Sequence, residues 1–145
     1  MGDMKPTATY AYLAGSIDSD GFISIGRSTK KVGEKYAHGP TYYNVKIGFT
    51  STDPIVPNLF RETFGGSLYT HQPKNPTHKV WHNWQAHGSV AGVAIKALLP
   101  HLRTKIKQGQ LALEFLDLIA SQKHRCMKER ITPVLEAPRA ALWRL

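Results

Sequence analysis

The chain has 145 residues, 41% of them apolar and 20% charged, which suits one globular domain with a core and excludes both wholesale disorder and two domains. With 19 Lys and Arg against 10 Asp and Glu, the formal charge is +9, which favours polyanionic partners because cations that neutralise phosphates release counterions. The lone Cys126 excludes an intramolecular disulfide and a multi-thiolate zinc site, and no apolar stretch approaches the ~18 residues of a membrane span.

The first predicted element is a helix from Thr7 to Ser19, with Tyr10, Leu13, Ala14 and Ile17 at helical spacing, Pro6 before it and Gly21 after it. Residues 22–27 alternate apolar and polar as a strand, and the basic stretch Ser28 to Pro40 reads as a long hairpin tip. A second strand sets Tyr43, Val45, Ile47 and Phe49 inward and Tyr42, Asn44, Lys46, Gly48 and Thr50 outward. Asp53-Pro54 opens a helix whose apolar face is Ile55, Leu59, Phe60 and Phe64, and Gly65-Gly66 stops it. A third strand covers Ser67 to His71 with Leu68 inward, and a fourth covers Val80 to His87. Ser89 caps a helix to about Leu99, Pro100 interrupts it, and Thr104 to Gln122 is the longest helix, with Leu111, Phe115, Leu118 and Ile119 as its stripe. The expected fold is therefore α+β, ordered α-β-β-α-β-β-α-α, with one four-stranded antiparallel sheet. One domain spans 1–145, its core about 7–122, with 123–145 as a C-terminal surface extension.

The chemistry concentrates in Leu13-Ala14-Gly15-Ser16-Ile17-Asp18-Ser19-Asp20-Gly21. Small residues at 11, 14, 15 and 19 would let a second helix approach closely. Acids at a helix C-terminus are unfavourable because that end carries partial negative charge, so Asp18 and Asp20 call for a cation or a capping role. Hard carboxylate ligands suit Mg²⁺, which binds through one or two of them plus substrate phosphates.

This stretch resembles the signature of the LAGLIDADG homing endonucleases, matching at Leu13, Ala14, Gly15, Ile17, Asp18, Asp20 and Gly21. Two further segments are similar to the family: Ile47 to Asp53, like its second strand and helix start, and Leu99 to Lys105, like the segment that supplies a basic active-site residue. The resemblance implies a site-specific, divalent-metal-dependent double-strand DNA endonuclease, intron-encoded in type, with Mg²⁺ as cofactor, Mn²⁺ as an alternative and Ca²⁺ as a non-catalytic substitute. It implies a metal held by Asp20 and the Ser19 backbone carbonyl, and a basic Lys105 near the attacking water. Ser51 falls where relatives often carry a Gln that orders active-site water, and Ile55 where some carry a further basic residue; both are departures. Asp18 is expected to be structural, capping backbone near its helix end.

A single motif copy implies a homodimer through the first helix, with Ala11, Ala14, Gly15, Asp18 and Ser19 at the interface, and a palindromic or pseudo-palindromic target. The sheet would form a DNA-binding saddle. Its outward residues are Ser24, Gly26, Ser28, Tyr42, Asn44, Lys46, Gly48, Thr50, Ser67, Tyr69, His71, Asn83 and Gln85, while Arg27, Lys30 and Lys31 in the tip meet phosphates. An intron-RNA-binding maturase and a DNA-binding module without cleavage are the competing functions. His78, His82 and His87 have zinc-like spacing, but alternation separates His87 from the other two. Met1 to Pro6 has neither a signal-peptide core nor a myristoylation pattern. The expected place is intracellular and off the membrane: the cytoplasm or nucleoid of a prokaryote or phage host, or an organelle matrix or stroma.

Overall fold

The computed structural model describes residues 6–29 and 41–121. The elements run α1 (Pro6–Asp20), β1 (Gly21–Thr29), β2 (Thr41–Ser51), α2 (Ile55–Phe64), β3 (Ser67–His71), β4 (Trp81–His87), α3 (Gly88–Leu98), a 3-10 turn (Leu99–His101) and α4 (Ile106–Ser121). This is the predicted order, and all strand pairs are antiparallel, in the sheet order β1-β2-β4-β3. Each hairpin contributes one central strand, so β2 and β4 join the two halves.

One face of the sheet carries the core. Ile23, Ile25, Val45, Ile47, Phe49, Trp84 and Ala86 are buried against Leu13, Ala14 and Ile17 of α1, Phe60 of α2, Ala91, Ala94, Ile95 and Leu98 of α3, and Ala112 and Phe115 of α4. The alternation read from β1, β2 and β3 matches this burial. Trp84 fixes α2 to the sheet: its ring stacks on Phe60 at 4.5 Å, and its Nε1 donates to the Gly65 carbonyl at 2.7 Å. Gly65 and Gly66, at φ +79° and +92°, end α2, and a Cβ at Gly66 would stand 2.6 Å from the Gln85 carbonyl oxygen.

Several local expectations are corrected. Ser28 belongs to β1 and not to the tip, and the rest of that tip (30–40) lies outside the described residues, as do Cys126 and the C-terminal extension. Ile55 is 68% exposed, because Asp53 Oδ1 accepts from the Ile55 N–H at 2.8 Å and the helix begins there, leaving Pro57 and Phe60 as its buried residues. Ser89 does not cap α3, which starts one residue earlier behind His87. The buried line of α4 is Gly109, Ala112 and Phe115, with Leu111, Leu118 and Ile119 only partly covered.

Candidate active site and nucleic-acid interface

The end of α1 meets the start of α4 through two exchanged interactions. The Asp18 carboxylate accepts backbone N–H bonds from Arg103 (2.7 Å), Thr104 (3.2 Å) and Lys105 (3.1 Å), and a bond from the Thr104 hydroxyl at 3.0 Å. Burial alone would raise its pKa, but these donors outweigh it and hold the carboxyl below the usual range. In return, Lys105 Nζ donates to the carbonyls of Ile17 at 2.7 Å and Asp18 at 2.8 Å. A carboxylate thus sits at the positive N-terminus of α4 and an ammonium at the negative C-terminus of α1. Asp18 is a cap, as expected, but of a segment 85 residues away and not of its own helix end.

Asp20 stands apart from this network. It is exposed, and no described residue bonds to it. Gly21 brings it up against the sheet: a Cβ there would lie 2.6 Å from Ile17 Cδ1, 2.7 Å from Ile17 Cα and 3.0 Å from the Gly48 carbonyl oxygen. No other residue lets α1 pass directly into β1 at this distance. Ser51 lies at the same end of the sheet, and its Oγ accepts from the Asp53 N–H at 3.1 Å, shaping the turn into α2.

On α1 the structure divides the proposed interface residues. Ala14 is fully buried in this chain's own core, so it has no surface for a second helix, and Asp18 is occupied by the 103–105 segment. Ala11, Gly15 and Ser19 are exposed, with open space beyond Gly15. Tyr12, which sequence reasoning passed over, joins them at 53% exposure. Its position between Ala11 and Leu13 gave no periodic signal.

The sheet face turned away from the helices carries most of the residues expected to meet DNA. The register sets Phe22, Gly48, Gln85 and Ser67 in one row, Thr50, Asn83 and Tyr69 in the next, and Ser24, Lys46 and His87 on the other side. Thr50, Ser67, Tyr69 and His71 are exposed, and Ser24, Asn44, Lys46 and Gln85 are half-buried. Two glycines on this face, Gly26 and Gly48, leave room for their neighbours. A Cβ at Gly48 would strike the Phe22 ring at 2.6 Å, and one at Gly26 would meet Lys46 Cε at 3.3 Å. Phe22 and His87 were missed, although the parity that turned Ser24 and Gln85 outward also covers them. His87 Nδ1 lies 3.4 Å from Asn44 Nδ2, and Gly26, Arg27, Asn44, Lys46 and His87 line a shallow concavity. Arg27 is a β1 residue paired with Tyr43, not a tip residue. Ser28 and Tyr42 pair in the ladder, but their side chains, like Lys30 and Lys31 entirely, lie outside the described residues.

No protein-family model matches this sequence, and no curated protein does. Solved structures do match. The archaeal intron-encoded homing endonuclease I-Vdi141I, complexed with DNA, superposes with a TM-score of 0.70 at 13% identity, over 97% of this chain and 85% of that one. The fold is that of the LAGLIDADG homing endonucleases. The homing endonuclease I-CvuI, in complex with its target in the presence of Ca, gives 0.69 at 18% identity over 94% of this chain and 83% of that one. The LAGLIDADG homing endonuclease I-GzeII, in complex with its DNA target, gives 0.60 at 14% identity, over 97% of this chain but only 45% of that one. In the homing-endonuclease fold found here, the motif helix ends at the sheet edge with one uncommitted acid. Among the described residues no group of three His, Cys, Asp or Glu gathers to hold a metal. No described helix is long and apolar enough to cross a membrane.

Proposed function

We propose that this chain is a site-specific double-strand DNA endonuclease of the homing type that works as a homodimer with a divalent metal. The observation that carries the reading is the division of labour at the end of α1, where Asp18 spends its carboxylate on four hydrogen bonds and Asp20 spends none among the described residues. An exposed carboxylate beside a helix C-terminus is electrostatically unfavourable unless a cation joins it. Asp20 and the Ser19 carbonyl are hard oxygen donors that fit Mg²⁺ or Mn²⁺, which share their coordination between protein carboxylates and substrate phosphates. One chain supplies half of such a donor set. The exposed α1 face, with open space over Gly15, would bring a second Asp20 alongside.

Two facts support the dimer. The Ser16 and Ser19 hydroxyls donate to the Tyr12 and Ser16 carbonyls of their own helix, which leaves that face suited to close packing. This chain also spans less than half of I-GzeII, so that longer chain has room for a second copy of the fold.

When bound, the metal would supply Lewis-acid polarisation of the scissile phosphate and a water of lowered pKa. The chain's own groups do the rest. Lys105, anchored by two of its three N–H donors, keeps one donor and its charge for the phosphate as negative charge develops. Asn44, Lys46 and Gln85 face the major groove with donors and acceptors for base edges. The target is palindromic or nearly so, as a symmetric dimer imposes. Incubating the protein with a randomised duplex library and Mg²⁺ tests the reading. Recovery of one palindrome-like cut site supports it; no cutting, or cutting without sequence preference, contradicts it.

A further inference from the structure

One rung of the open sheet face holds a polar residue where water should reach it and does not. Thr50, Asn83 and Tyr69 are direct cross-strand partners on β2, β4 and β3. Asn83 is only 8% exposed and is the buried polar residue among those described, although it lies on the face opposite the helices. Tyr69, itself 48% exposed, reaches across it, and Asn83 Nδ2 donates to the Tyr69 hydroxyl oxygen at 3.2 Å. Asn83 Oδ1 is buried and has no partner among the described residues. An orphaned carbonyl oxygen costs folding stability that an apolar side chain would not.

The orientation of that amide sets the polarity of Tyr69. A phenolic hydroxyl has one proton to give and accepts through its oxygen. With Asn83 supplying a proton from below, the oxygen's inward lone pair is used, and the hydroxyl's own proton is directed away from the sheet. We propose that Asn83 is a positioning residue that does not itself touch DNA, and that it commits Tyr69 to donating a hydrogen bond to an acceptor on the duplex. This rests on the DNA-binding reading above. The acceptor is a base-edge atom such as purine N7, guanine O6 or thymine O4, or a phosphate oxygen. Thr50, short and neutral, leaves the approach to the hydroxyl open from the β2 side.

The test compares wild type, Tyr69→Phe, Asn83→Asp and the double variant in binding to the selected target, to its single-base-pair variants and to an unrelated duplex. Asn83→Asp keeps the shape but replaces the donor by an acceptor, so the Tyr69 proton is drawn inward. The added charge weakens every duplex alike in either background, and the double-mutant cycle removes that part. Expected is a loss of about three- to tenfold in Tyr69→Phe, the equivalent of one hydrogen bond, with no further loss from that substitution in the Asn83→Asp background. A loss confined to one position per half-site identifies a base-edge acceptor, and a loss shared by all duplexes identifies phosphate. Asn83→Leu, which removes the orphan oxygen, should melt no lower than wild type and lose part of the same contact. Tyr69→Phe without effect, or with an undiminished effect in the Asn83→Asp background, overturns the proposal. A wild type without preference for any duplex overturns the DNA reading as well, and is seen before any variant is made.

Discussion

Asp18 and Lys105 bind each other's backbone: Asp18 Oδ1 accepts from the Lys105 N–H at 3.1 Å, and Lys105 Nζ donates to the Asp18 carbonyl at 2.8 Å. This reciprocal pair welds the motif helix to α4 and offsets the electrostatic cost of the Asp18 carboxylate near a helix C-terminus. It also separates the two motif acids: the Asp18 carboxylate is occupied, and that of Asp20 has no partner among the described residues.

Asp18→Ala should therefore destabilise the fold by about 1.5–3 kcal/mol, the usual worth of hydrogen bonds to a charged group, measured by urea unfolding at neutral pH. The pH dependence has a definite sign. Its carboxyl titrates below the ordinary value of 3.8, so its contribution is complete above that value and is lost as pH falls through the lower folded one. Wild type should lose stability in that acid window more steeply than Asp18→Asn. Parallel acid profiles would mean that the carboxylate does not hold the weld.

Lys105→Met removes the ammonium that covers the Ile17 and Asp18 carbonyls. We expect a loss of about 1–3 kcal/mol in stability together with about a 100-fold fall in cleavage rate at saturating DNA. Thermal melting separates the two. A variant that melts like wild type but does not cut would assign Lys105 to chemistry alone.

Two glycines in the motif should respond in opposite ways. At Gly21 a Cβ meets the Ile17 backbone at 2.7 Å, which cannot yield, so Gly21→Ala should cost about 1–3 kcal/mol. At Gly15 a Cβ would meet no described residue within 4 Å apart from its chain neighbours and its own helix's backbone, so Gly15→Leu should leave the isolated chain folded and instead abolish self-association. Circular dichroism and sedimentation velocity read these outcomes. A Gly15→Leu chain that sediments as a dimer would move the interface away from α1.

What was legible in the sequence was what local periodicity encodes. Val45, Ile47 and Phe49 alternate with Asn44, Lys46 and Gly48, and the sheet followed. The helix order followed from apolar spacing and from punctuation such as Gly65-Gly66. What was not legible depends on contacts between distant segments. Ala14 is small enough for either a core or an interface, and only the packing of α1 on the sheet decides. The partners of Asp18 lie 85 to 87 residues away. Asn83 has outward parity yet is buried, and the register sets Tyr69, its hydrogen-bond partner, directly across from it. Phe22 was within reach of the same alternation and was overlooked because an aromatic residue reads as core.

The central claim is that Asp20 carries the metal and Asp18 does not. Cleavage and binding of the selected duplex by Asp20→Asn, in Mg²⁺ and at matched salt, tests it most directly. Loss of cleavage with binding kept within about tenfold of wild type is the predicted result, because the substitution removes a ligand charge and leaves the sheet contacts in place. Wild-type cleavage rates in Asp20→Asn would contradict it.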